Sequence, residues 1–95
     1  MITTKQRAEL RKHANTLDTI FQVGKDGIEA NLIDGIDKAL TARELIKCRV
    51  QDNCPLTARE ACDELARVLK AEAVQTIGSR FVLYRRNKKI DKYGI

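Results

Sequence analysis

The chain has no tryptophan, one proline, one histidine and one methionine, and its phenylalanines and tyrosines are only Phe21, Phe81, Tyr84 and Tyr93. So few aromatics argue against a surface on which successive nucleic-acid bases stack. A single imidazole, His13, and three cysteines without a CxxC pair (Cys48, Cys54 and Cys62) exclude an ordinary zinc set and a paired disulfide framework. Reduced thiols in a cytoplasmic protein are the simpler account. No apolar run approaches the ~18 residues of a membrane span. The opening stretch, Met1 to Lys12, is polar and helical in pattern, unlike a signal peptide. Catalytic parts are missing as well. No nucleophile motif surrounds any Ser or Cys, no GxxxxGK[ST] phosphate loop is present, and the carboxylates are scattered at spacings of solvation or i,i+4 pairing. His13 lies on a charged helix and reads as an exposed residue. No enzyme, metal or cofactor is expected.

What is present is a folded domain with unevenly placed charge. Hydrophobic residues make up 43% of 95 residues, with five glycines, enough for one core and too apolar for a disordered tail. Residues 1–79 hold twelve Lys and Arg against twelve Asp and Glu, whereas residues 80–95 hold six basic residues and only Asp91. The whole excess of +5 therefore lies in the last strand and the tail. A concentrated patch of this kind attracts a polyanion or merely keeps a protein soluble.

The order of elements is legible. Thr3 and Gln6 form a capping box for a helix over about residues 4–15, with a thin apolar stripe (Ala8, Leu10, Ala14 and then Leu17) and a basic side bearing Lys5, Arg7, Arg11 and Lys12. Thr19 to Val23 reads as a strand. Residues 28–42 repeat apolar side chains at helical spacing (Ile28, Leu32, Ile33, Ile36, Ala39, Leu40), interrupted by Gly35, which suits close packing. Glu44 to Val50 alternates, with Ile46, Cys48 and Val50 on one face and Lys47 and Arg49 on the other. Thr57 and Glu60 form a second capping box, opening a helix with Ala61, Cys62, Leu65, Ala66, Val68 and Leu69 on its apolar face. Ala73 to Ile77 and Arg80 to Arg86 are strands joined by Gly78-Ser79, a type II′ hairpin. The αβαβαββ order predicts an α/β two-layer sandwich with a four-stranded mixed sheet over residues 1–87, followed by a mobile basic tail, 88–95.

Between the first strand and the second helix lies Gly24-Lys25-Asp26-Gly27. Its glycines let the backbone approach another molecule, the following helix N-terminus suits a phosphate, and Lys25 adds a cation. Asp26 opposes that charge unless it caps the helix. GxxG alone is common, and taken by itself it reads better as a tight turn. Lys47 and Arg49 on one strand face, Arg85 and Arg86 beside Tyr84, and the basic first helix shift the balance towards RNA held by phosphate, sugar and shape.

Across nearly its whole length the chain resembles the CRM domain (chloroplast RNA splicing and ribosome maturation) in its stand-alone bacterial, YhbY-like form. The matching stretches are Thr4-Lys5-Gln6-Arg7 with Leu10-Arg11, Val23 to Ile28, Ala39-Leu40, Glu44-Leu45-Ile46-Lys47, Val74 to Gly78 and Leu83-Tyr84-Arg85. The resemblance implies a fold similar to the C-terminal domain of translation initiation factor three, RNA binding with the GxxG loop in contact, and association with precursors of the large ribosomal subunit. Two positions depart from the family pattern: Asn15 and Arg43 stand where histidines are common. The expected partner is thus rRNA of the pre-50S particle, bound by a cytoplasmic monomer with no membrane contact. The expected contacts are Gly24, Lys25, Asp26, Gly27, Lys5, Arg7, Arg11, Lys12, Lys47, Arg49, Arg85 and Arg86. A protein–protein adaptor and a general RNA chaperone remain the alternatives.

Overall fold

Two capping boxes start the first and third helices where the sequence marks them. Thr3 caps α1 (Thr4–Ala14), its hydroxyl accepting from the Gln6 amide at 3.1 Å while the Gln6 side chain accepts from the Thr3 amide. Thr57 and Glu60 do the same for α3 (Ala58–Leu69). The remaining elements are β1 (Thr19–Val23), α2 (Ala30–Arg43), β2 (Leu45–Val50), β3 (Glu72–Ile77) and β4 (Arg80–Tyr84). The computed structural model describes residues 2–95.

The strands lie in the order β1-β2-β4-β3. β1 and β2 are parallel, as a strand–helix–strand crossover requires, and the other neighbours are antiparallel. Residues paired in register share a face. Ile46, Cys48 and Val50 of β2 therefore join Phe81 and Leu83 of β4 and Val23 of β1 beneath α2 and α3. From α2 this core takes Ile36 and Leu40; from α3 it takes Ala61, Cys62, Leu65 and Leu69. Gly35 admits the Phe21 ring, since a Cβ there would lie 3.1 Å from Cε1 of that ring. Val68, expected on the buried face of α3, is 39% exposed.

The opposite face carries a second, thinner cluster of Leu45, Val74, Val82 and Tyr84, covered by Leu10 and Ala14 of α1. The α/β class, element order and mixed sheet agree with the sequence reading, but helices cover both faces of the sheet where two layers were expected. Alternation alone decides this: Val82 and Tyr84 are apolar on the face away from α2 and α3, and α1 is the only helix left to cover them.

Residues 88–95, the basic tail, fold back onto this thinner side. The reason is Glu44, which ends α2 in a left-handed conformation (φ 64°) with its side chain completely buried. Its carboxylate accepts the backbone N–H of Asn87 at 2.7 Å and of Lys92 at 2.6 Å, and its carbonyl accepts that of Arg85 at 2.8 Å. A buried carboxylate needs such donors. Tyr93 then stacks edge-on against His13, with ring centroids 4.9 Å apart, and lies near Tyr84. Burial, and the nearby Glu44 carboxylate second, push the Tyr84 and Tyr93 phenols up.

Candidate nucleic-acid interface

The Gly24–Gly27 loop is a tight turn, closed by the Gly27 N–H donating to the Gly24 carbonyl at 3.0 Å. Lys25 and Asp26 project from its tip, exposed, while Gly27 is buried beneath it. Gly27 has φ +67°, a region that disfavours any other residue. Gly24 sits against the Gln51 side chain: a Cβ there would lie 2.9 Å from Oε1. The loop does not run straight into the helix, as the sequence reading had it. Ile28 packs into the core and Glu29 intervenes, so α2 begins at Ala30, two residues later than expected. Asp26 is not its cap; Glu29 holds that position and makes no side-chain cap bond. The helix end is therefore displaced from the loop tip, and the exposed Lys25 is the loop's nearest source of positive charge.

The other expected contacts separate into two groups at opposite ends of the sheet. Lys47 and Arg49 lie on the face away from α2 and α3, at the end of the sheet where the loop is. Register places Gln22, Arg49, Arg80 and Ile77 in one row across all four strands, and Lys47, Val82 and Gln75 in the next. α1 stops short of this area: its capping residue, Asn15, lines a cavity with Lys47, Gln75, Ile77, Arg80 and Val82. The first row is thus open to solvent, with Ile77 63% exposed.

Arg85 and Arg86 lie at the far end. Arg85 was expected to meet RNA, but its guanidinium is committed within the fold. Nη1 donates to Asp37 Oδ1 (2.8 Å) and the Leu69 carbonyl (3.0 Å); Nη2 donates to the Asp37 carbonyl (2.9 Å) and Thr41 Oγ1 (2.9 Å). Its side chain is 22% exposed, and it ties β4 to both α2 and α3. Arg86 approaches Asp91 of the folded-back tail at 3.6 Å. The basic side of α1 is also smaller than its sequence implies. Arg7 is partly buried and donates to the Ala73 carbonyl on β3 (3.1 Å), Arg11 is partly buried, and Lys12 pairs with Glu9. Only Lys5 is exposed there without an acidic partner among the described residues.

Acidic partners distinguish some cations from others, though Arg43 and Lys70 at the ends of α2 and α3 also lack one among the described residues. Lys38, Arg59 and Arg67 on α2 and α3 are each paired within their own helix. Lys25, Lys47, Arg49 and Arg80 have no acidic oxygen within 4.0 Å among the described residues. Arg49 goes further: its Nε is buried without a hydrogen-bond partner. An orphaned charged donor costs free energy, so it calls for an explanation. Sequence reading missed Arg80, Gln22, Gln51 and Gln75. Arg80 had a signal, since period two from Val82 and Tyr84 sets it on their face; the glutamines had none.

Neither metal nor thiol chemistry finds support. Among the described residues no three His, Cys, Asp or Glu side chains group to hold a metal ion. Burial, with Cys62 nearby, pushes the Cys48 thiol up to about 12, and burial raises Cys62 to about 11, so both stay protonated and unreactive at neutral pH. No helix among the described residues is long and apolar enough to cross a membrane.

Known proteins resemble the chain along nearly its whole length. A Bacillus subtilis protein named as a probable RNA-binding protein is 44% identical over 89 residues, covering 94% of this chain and 93% of its own length. A Haemophilus influenzae protein named as an RNA-binding protein is 34% identical, covering 88% and 85%. Both are named for RNA binding and not for a reaction. The solution structure of a hypothetical Staphylococcus aureus protein, described as a candidate RNA binder, superposes with a TM-score of 0.71 at 44% identity, covering 92% of this chain and 91% of the other. The CRS1/YhbY (CRM) domain model matches residues 2–85, and the chain belongs to that family.

Proposed function

We propose that this protein binds RNA, and that its target is rRNA in the precursor of the large ribosomal subunit, where it acts as a monomeric assembly factor in the cytoplasm. The observation that carries the reading is the group of cations without acidic partners at one end of the sheet: Lys25 on the loop, with Lys47 and Arg49 beside it. Phosphates supply the missing partners. Family membership and the names of the relatives support RNA as the polyanion. The loop contributes its exposed backbone and Lys25, with Lys5, Arg11 and Lys12 as outlying contacts. Asp26 makes the loop tip neutral overall, so steering towards RNA comes from the sheet.

Binding should weaken steeply with salt, because each neutralised phosphate releases counterions. A filter-binding titration with structured rRNA fragments measures this. A flat response, or no binding at low salt, would remove the RNA reading and leave the protein–protein adaptor. The ribosomal part has its own test. Sedimentation with precursor large subunits, and not with mature ones, is the expected result. Sedimentation with neither, despite tight binding to free RNA, would favour a general RNA chaperone.

A further inference from the structure

The uncovered row Gln22–Arg49–Arg80–Ile77, with Lys47 and Gln75 behind it, is more specialised than an electrostatic patch. Rows of this kind are set by strand register, so their side chains stand side by side at about 4.8 Å, and four strands span roughly 14 Å. Three chemistries alternate along them. Arg49, Arg80 and Lys47 supply positive charge with no acid in either row. Ile77 supplies exposed apolar surface next to Arg80. The glutamines supply amides, which both donate and accept. Gln22 Oε1 accepts from Gln51 Nε2 at 2.6 Å, leaving the Gln22 amide donors and Gln51 Oε1 unused; Gln75 makes no side-chain hydrogen bond. Charge alone suffices to hold phosphates. Amides at fixed spacing beside arginines are the groups that hydrogen-bond base edges.

A paired A-form helix hides those edges, because its deep major groove admits no side chain and its shallow groove offers mainly 2′-hydroxyls. Amides on a flat sheet reach base edges only when the bases are unpaired. Neither row at this open end has an aromatic side chain, so bases laid on it would rest on Ile77 and on arginine planes rather than on rings. The buried, unsatisfied Arg49 Nε lies inside this row.

We infer that this open end of the sheet is a binding site for unpaired RNA, with Arg49, Arg80 and Lys47 on phosphates and Gln22 and Gln75 on base edges, so that the protein discriminates sequence there. The inference rests on the RNA reading above but is separable from it. Lys25 and the loop sit at the edge of the row through the contact of Gly24 with Gln51, so one RNA segment passes from the loop onto the sheet.

The test compares the full chain with two variants, Arg80→Glu and the pair Gln22→Ala with Gln75→Ala, on a random-sequence single-stranded RNA pool and on an RNA hairpin stem. Arg80 is exposed and has no partner to lose, so its variant should fold; a circular dichroism melt checks this. The single-stranded pool should bind at least about tenfold more tightly than the stem, and Arg80→Glu should lose about tenfold on the pool. The glutamine pair should bind the pool nearly as well as the parent but flatten the sequence preference recovered by selection. If Arg80→Glu binds as the parent does, or the stem competes equally, the inference falls while RNA binding stands. If selection finds no preference in the parent, base reading falls. If the parent binds neither RNA, the functional reading itself fails.

Discussion

The two faces of the sheet are built to different standards. Under α2 and α3 lies a deep core drawn from β1, β2 and β4, and the helices above it neutralise Lys38, Arg59 and Arg67 within their own turns. The other face has six buried residues, a helix that buries only Leu10 and Ala14, and a folded-back terminal segment. Past the end of α1 it is bare, and its cations are unpaired. Three cations of α2 and α3 are paired within their helices, whereas Lys47, Arg49 and Arg80 at the open end of the sheet have no acidic partner among the described residues. This teaches where to look for a partner in a small α/β domain: at cations the fold has left without acids, more than at the positions with the highest local charge. The tail carries three lysines, yet its backbone is held by Glu44 and its Asp91 faces Arg86.

The largest effect should come from the thick face. Leu65→Ala, at a fully buried site, should cost about 2–5 kcal/mol in urea unfolding, and Leu10→Ala on the thin face should fall towards the lower end of that range, because a shallow cluster collapses more easily around a lost side chain. Equal or reversed costs would mean that α1 is as much a part of the core as α3.

Alkaline pH should act next, and on both faces. The folded thiols of Cys48 and Cys62 ionise at higher pH than the unfolded value of 9.0. Their contribution is therefore intact below pH 9 and is lost as pH rises towards about 11 for Cys62 and about 12 for Cys48. The loss should be roughly 1 kcal/mol per thiol between pH 9 and 10. Tyr84 and Tyr93, also raised from 10.0, extend the decline on the thin face. Replacing both cysteines by alanine should flatten the first part of a pH-dependent urea series and leave the tyrosine part. An unchanged slope would mean the thiols are more hydrated than their burial implies.

The smallest stability effect, and the most diagnostic, separates Arg85, just past β4, from Lys25 on the loop. Arg85→Ala should cost about 1–2 kcal/mol, allowing for the half-exposed Asp37, with little change in RNA affinity while folded. Lys25→Ala should do the reverse: an unchanged melt, weaker binding, and a salt slope lower by about one phosphate. Lys25 alone is the proper loop variant. The positive φ of Gly27 makes a Gly27→Ala substitution strained, so it would confound binding with folding. If Arg85→Ala weakens binding of a fully folded protein, the far end of the sheet also meets RNA.

Much of this was legible in the chain and some was not. Both capping boxes, the two-residue hairpin and all seven elements follow from spacings of two to four residues, where the physics is local. The start of α2 was misplaced because Ile28 continues the helical period while packing as part of the loop. The candidate site was half legible. The loop and the Lys47–Arg49 alternation are written in consecutive residues, whereas Arg80 joins them only through antiparallel pairing with β2.

By itself, then, the sequence determined which segments are helix and strand, that the domain is basic, and that a glycine-bounded turn presents Lys25. Tertiary structure decided which cations are available. Arg80 and Arg85 sit five positions apart on β4 and just beyond it, with identical side chains. One faces an acid, a hydroxyl and two carbonyls brought from α2 and α3; the other faces solvent beside Arg49. Those partners lie tens of residues away along the chain for Asp37 and Arg49. Only register and packing bring them close, and an ionic contact depends on distance in space, which spacing along the chain does not encode.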